Sequence, residues 1–192
     1  MFTQYLLSLS RKFTLLFLAL ALSSSVLIVK ATPCELIKVV DADTLVVNKI
    51  IDKSKKEEIR IRLLGVDAPE FTQELWGKRA REFVVAELAR AEALDFELDH
   101  DKKDKYGRTL AYVFYTVSDK QLKAKKKKLL NEELLRNGFA ELYMNKENSK
   151  YSRVLKSAEA SARFSQINIW QKQGGLEMSP SKFRKSKKKK TK

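Results

Sequence analysis

Apolar residues along this chain follow two rhythms, one with a period of two and one with a period near 3.6, and the switches between them lay out its elements. Short alternating or continuous apolar blocks at residues 35–40, 44–51, 58–64, 94–98 and 109–117 predict five strands. In Ile59-Arg60-Ile61-Arg62-Leu63 the period of two puts Ile59, Ile61 and Leu63 on one face. Arg60 and Arg62 fall on the other, so Arg62 can leave the core and reach a cleft. The polar, lysine-rich residues 52–57 supply a hairpin connection. Helical spacing replaces the alternation after Trp76-Gly77, where Ala80, Phe83, Val84, Leu88 and Ala91 line one face. A second helix is predicted over 130–137, stopped by Gly138 in a left-handed conformation. Tyr151, Val154, Leu155, Ala158 and Ala162 line a third.

Five strands with a helix between the third and fourth predict a mainly β, α+β domain: the five-stranded Greek-key barrel called the OB-fold, with three helices. The expected layout is a leader over residues 1–31, the barrel domain over 32–174 and a basic tail over 175–192. Arg11 and Lys12 precede an uncharged run over 13–29, and Val29-Lys30-Ala31 suits cleavage, so the leader reads as an export signal. The same run, at the lower edge of a membrane-spanning length, leaves an uncleaved membrane anchor open as the alternative. Secretion or an envelope location is expected. Cys34 is the only cysteine, so no internal disulfide is available; it reads as a small apolar residue opening the first strand.

The formal charge of +15 is unevenly spread. Residues 179–192 carry eight Lys/Arg, residues 120–128 carry six and the first thirty carry three; without these, 22 basic residues face 24 acidic ones. The barrel is therefore near neutral and its extensions are basic. Those lysines can bind a polyanion by counterion release or simply keep a solvated, disordered tail soluble.

Three short stretches carry the chemistry: Asp41-Ala42-Asp43-Thr44, the segment from Arg62 to Glu70, and Asp104-Lys105-Tyr106-Gly107-Arg108. Aspartates at strand ends can hold a hard cation through oxygen. Two arginines can clamp a phosphate and neutralise charge growing on it. A glutamate can take a proton from water. His100, between Asp99 and Asp101, reads as solvated, and Phe71, Trp76 and Trp170 read as packing.

At these residues the chain resembles the thermonuclease, or staphylococcal-nuclease-like, family. Its D-[GA]-D-T turn is residues 41–44, its R-L-x-x-V-D-x-P-E segment is 62–70, and its D-x-Y-G-R segment is 104–108. Residues 130–140 resemble its second helix and glycine stop, and Asn168-Ile169-Trp170 its closing motif. The resemblance implies Arg62, Glu70 and Arg108 as catalytic residues. It implies Asp43, Asp67 and the backbone carbonyl of Ala68 as ligands of Ca²⁺, with Asp41 orienting a metal-bound water. Ala42 stands where the family more often has glycine, which suits only a backbone that avoids positive φ. Lys105 and Tyr106 are implied in contact with a neighbouring phosphate. Tyr143 is a candidate for base stacking, with a rim or core tyrosine as the alternative. The implied activity is a monomeric, Ca²⁺-dependent endonuclease that cuts DNA and RNA and leaves 3′-phosphate ends. Glu70 would act as general base or hold the water in line. The rival expectation is a non-catalytic OB-fold module that binds or captures nucleic acid at the cell envelope.

Overall fold

In the computed structural model, which describes residues 31–119 and 123–190, the alternating segment around Arg62 is the hub of a closed barrel. The leader, apart from Ala31, lies outside the described residues. Strands β1 (Thr32–Asp41), β2 (Thr44–Ile50) and β3 (Lys56–Leu63) form an antiparallel meander. Strand β4 (Gly65–Asp67) leads into helix α1 (Glu74–Ala89), and β5 (Ala93–Lys103) returns to pair with β1 and with β6 (Thr109–Asp119). A parallel pairing of β3 with β6 closes the five-stranded ring. The α+β barrel with an OB-fold topology expected from the strand pattern is the observed architecture, with four helices among the described residues in place of three.

Inward-facing Leu45, Val47, Ile61, Leu63, Ala111, Val113 and Tyr115 fill the barrel. Helix α2 (Leu130–Arg136) closes one end with Leu130, Leu134 and Leu135, all fully buried. A helix of seven residues is too short to hold alone. Those three leucines, at roughly 1.5–3 kcal/mol each, hold it in place. Gly138 ends it at φ +62°, as the sequence predicts. Strand β8 (Glu141–Tyr143) pairs with β4, and α3 (Ser152–Phe164) packs Leu155 and Ala158 into the core.

The basic run at 120–128 is a correction to the reading of it as an extension. Residues Ala124–Leu129 form β7, paired antiparallel with β6. Lys125 meets Glu92 at 2.9 Å, Lys127 meets Asp95 at 2.8 Å, and Lys128 lies 3.2 Å from Glu133. A second correction concerns the tail. Instead of disordered chain, Pro180–Lys190 form helix α4.

Candidate active site

The site begins at the β1–β2 turn. Asp41 and Thr44 pair across it, leaving Ala42 and Asp43 as its two central residues, neither with positive φ. Ala42 is thus unstrained where the family more often carries glycine, and its methyl group is fully buried. Asp43 is 7% exposed. Its Oδ1 accepts the Thr44 hydroxyl at 2.9 Å and its Oδ2 accepts the amide of Ala68 at 3.0 Å. One carboxylate therefore locks the hairpin to the segment that carries Asp67.

Asp67 ends β4 and is 2% exposed. Between the two aspartates stands Arg62, on the face of β3 away from the barrel core, as its alternation predicts. Its Nη1 donates to the carbonyls of Leu63 at 2.9 Å and Val66 at 2.7 Å. Its Nη2 lies 3.0 Å from Asp67 Oδ1 and 3.2 Å from Asp43 Oδ2. A single guanidinium edge bridges both carboxylates, and the carbonyls hold it flat. Burial nevertheless pushes the Asp67 carboxyl above the usual range; Arg184 and Arg62 oppose that rise and the Asp43 charge adds to it. Asp41 is raised too, by burial first and then by the charges of Asp43 and Glu70. Arg62 joins Asp43 to Asp67 and Arg184 joins Asp67 to Glu70, so these carboxylates form one acidic cluster.

Glu70 sits on the loop between Asp67 and α1. The loop's path is set by close backbone approach: a Cβ on Gly77 would lie 1.8 Å from the Glu70 carbonyl oxygen, a position only glycine allows. The Gln73 amide donates to the same carbonyl at 2.7 Å. The Glu70 carboxylate is held by Arg184 of α4, whose Nη1 lies 2.9 Å from Oε1. Arg184 Nη2 also reaches both oxygens of Asp67, at 2.9 and 2.7 Å.

Arg108 arrives from the neighbouring strand. The β3–β6 register sets Thr109 opposite Ile61 and Leu110 opposite Arg62, so Arg108, just before β6, falls at the level of Arg60 in β3. Asp104 holds it: Oδ2 accepts Arg108 Nε at 2.7 Å and lies 2.7 Å from Nη2, while Oδ1 accepts the amides of Tyr106 and Arg108. Burial pushes the Asp104 carboxyl up, but these hydrogen bonds together outweigh it and the net shift is downward. Tyr106 is 64% exposed, with Lys105 Nζ 5.2 Å and Arg108 Cζ 5.6 Å from its ring centre. Tyr143, 62% exposed, pairs with Gly65 at the start of β4; it is a rim residue, outside the core.

The structure thus gathers Asp43, Asp67, Ala68, Arg62 and Glu70, brings Arg108 to the adjoining strand, and leaves Lys105, Tyr106 and Tyr143 exposed. His100 lies apart, exposed, 3.3 Å from Asp101. Two residues escaped the sequence reading. Asp104 was quoted only as part of its motif, although its place four residues before Arg108 across a glycine turn was a usable signal. Arg184 lies in a lysine-rich run, where nothing sets it apart.

The donor set suits a hard cation. Asp43 and Asp67 converge on one cationic atom, Arg62 Nη2, and a second guanidinium, that of Arg184, joins Asp67 to Glu70. Among the described residues no three acidic, His or Cys side chains form a metal-binding group by themselves. Two aspartates would hold a cation only with backbone carbonyl or water oxygens completing its shell. Asp43, Asp67 and the Ala68 carbonyl are the residues that would do so.

Comparison with known proteins places the chain in a family. Residues 60–172 match the family model described as staphylococcal nuclease homologue. The chain is 35% identical over 140 residues to the thermonuclease of Staphylococcus intermedius, covering 70% of this chain and 74% of the relative. It is 33% identical over 141 residues to the thermonuclease of Staphylococcus hyicus, covering 71% and 74%. Endonuclease YncB of Bacillus subtilis is 32% identical over 144 residues, covering 71% of this chain and 61% of that protein. The matched span takes in Arg62, Asp67, Glu70 and Arg108, and this barrel with its bridged aspartates belongs to the staphylococcal nuclease homologue family.

Proposed function

We propose that this nuclease is a Ca²⁺-dependent endonuclease that hydrolyses phosphodiester bonds of DNA and RNA and leaves 3′-phosphate ends. The observation that carries the reading is the Arg62 edge bridging Asp43 and Asp67 within one cluster with Glu70. Ca²⁺ held by Asp43, Asp67 and the Ala68 carbonyl would supply positive charge beside the scissile phosphate. Glu70 accepts a proton from the attacking water or orients it toward phosphorus. The P–O5′ bond breaks, the 5′-oxygen leaves as a hydroxyl after taking a proton from solvent water, and the phosphate stays on the 3′ side. Arg62 and Arg108 donate to the non-bridging oxygens, more strongly in the five-coordinate transition state than before it. Asp104 keeps the Arg108 fork aimed, a task lysine would do poorly without a planar donor set. The exposed Lys105, Tyr106 and Tyr143 form a rim for the neighbouring phosphate and base. An exported, monomeric enzyme fits this chemistry, because outside the cytoplasm Ca²⁺ is abundant enough for a site with few carboxylates.

The test is digestion of plasmid DNA and of RNA by the purified protein with Ca²⁺, then with excess chelator, followed by analysis of the ends. Cleavage that depends on Ca²⁺ and yields 3′-phosphates is expected. Undiminished cleavage in chelator would remove the metal from the mechanism, 5′-phosphate ends would reverse the leaving group, and binding without cleavage would favour the capture module.

A further inference from the structure

Helix α4 lies over the site just described. Its approach is stapled along the Glu70–α1 segment: Trp76 Nε1 donates to the Gly174 carbonyl at 3.1 Å, the buried Gln73 side-chain amide donates to the Met178 carbonyl, and Lys187 Nζ donates to the Thr72 hydroxyl. Between these anchors Arg184 reaches down to both oxygens of Asp67 and to Glu70 Oε1. Two groups that cation binding and water activation require are therefore occupied by the protein's own cation. Burial disfavours the charge on Arg184, but its hydrogen bonds to Asp67 and Glu70 outweigh that penalty.

From this geometry we infer that α4 is a tethered blocker: Arg184 occupies the cation position on Asp67 and restrains Glu70, and a long polyanion draws the helix away. The inference rests on the Ca²⁺ reading given above. The block is reversible because α4 is held by hydrogen bonds and ion pairs, with the Arg184 side chain 38% exposed. The release follows from composition. Residues 179–192 carry eight Lys/Arg and no acid, so a nucleic-acid strand offers this helix phosphates in exchange for two carboxylates. A dinucleotide is too short to make that offer. A closed state that must open before Ca²⁺ binds lowers the apparent affinity by the fraction of molecules already open.

The experiment compares the full chain with its Arg184→Gln variant. Titration calorimetry with Ca²⁺ alone should show the variant binding roughly ten-fold more tightly, as expected if about a tenth of the wild-type molecules are open. Dinucleotide cleavage at limiting Ca²⁺ should rise in the variant, while cleavage of long DNA at low salt should be the same for both. Hydrogen exchange of the amides over 181–190 should quicken when the wild type is saturated with Ca²⁺. Equal Ca²⁺ affinity in two cleaving proteins overturns the blocker and leaves the nuclease reading intact. Loss of cleavage in the variant also overturns it, by making Arg184 part of the phosphate clamp. If neither protein binds Ca²⁺ or cleaves, the proposed function fails and takes this inference with it.

Discussion

Arg62 does two jobs that one substitution can separate. Its guanidinium is 13% exposed and bridges Asp43 and Asp67, which are 10% and 3% exposed at their side chains. In Arg62→Ala those carboxylates face each other without the bridge. Removing one partner from a buried ion pair costs about 3–5 kcal/mol. The lower end applies here, because Asp67 keeps Arg184 and Asp43 keeps the Thr44 hydroxyl and the Ala68 amide. For a domain of this size each kcal/mol lowers the melting temperature by about 2–4 °C, so a fall of about 6–12 °C is expected in chelator at neutral pH.

The sign of the pH dependence follows from Asp67. Its carboxyl is already raised by burial, and loss of Arg62 moves it further up. A protonated Asp67 has no need of the guanidinium, so the stability deficit should shrink as the pH falls through the acid range. Added Ca²⁺ should also narrow it, by taking up the two negative charges. Turnover should stay low under all these conditions, by about 10²–10³, because a transition-state donor is gone. Circular-dichroism melts across pH, with and without Ca²⁺, and kinetics on the same samples make the comparison. An unchanged melting temperature in chelator would refute the bridging argument, and near-wild-type turnover would refute the catalytic one.

Four further outcomes are expected. Asp104→Asn should weaken the hold on Arg108 and lower turnover; the carboxyl sits below its usual range, so its stabilising contribution is present at neutral pH and lost as pH falls through the lowered value, and the variant's acid unfolding curve should lack that limb. Asn131→Ala should cost about 2–5 kcal/mol in denaturant unfolding, because Asn131 accepts the Val113 amide at 3.0 Å and donates to the Leu64 carbonyl at 2.7 Å, and both would be left buried and unpaired. Cys34, whose thiol is pushed up to about 12 by burial and by the charges of Asp95 and Glu35, should resist thiol reagents at pH 8.5 in the native protein and react rapidly in denaturant. Replacing Lys185, Lys188 and Lys189 of α4 by glutamine should flatten the salt dependence of DNA binding more than replacing Lys125, Lys127 and Lys128, with a full phosphate contact worth about 0.9 in slope; equal effects would show that the β7 lysines exchange their carboxylates for phosphate.

Much of the barrel was legible because a half-buried strand writes its pleat into the sequence. The alternation at Ile59, Ile61 and Leu63 is the burial pattern of β3, and the same alternation put Arg62 on the face where it meets the aspartates. Strand β7 was missed for the converse reason. Its first four residues, Ala-Lys-Lys-Lys, are exposed, and an edge strand that pairs on one side needs no apolar face. Strands β4 and β8, of three residues each, are too short to show any period. Helix α4 has no apolar stripe to announce it. The polar contacts of Gln73, Thr72, Glu70 and Asp67 hold it in place, and no window of local sequence contains both sides of those contacts.

The same distinction governs how charge should be read. Two lysine-rich runs look alike in composition, yet they meet different surroundings. The lysines of β7 stand beside acids of α1, the α1–β5 loop, β5 and α2: Glu87, Glu92, Asp95 and Glu133 lie 2.8–3.4 Å away, so their charge is largely spent within the protein. Helix α4 brings no acid of its own; its Arg184 pairs with Asp67 and Glu70 of the acidic cluster, and its Lys182 acts on the charge of Glu141. A count of charges along the chain cannot tell these cases apart, because what matters is whether folding sets an acid within a few ångströms of each base. In this molecule the acids that Arg184 of α4 pairs with are those proposed for the chemistry. The segment that composition marks as a polyanion ligand is therefore also the one whose arginine stands in the cation's place.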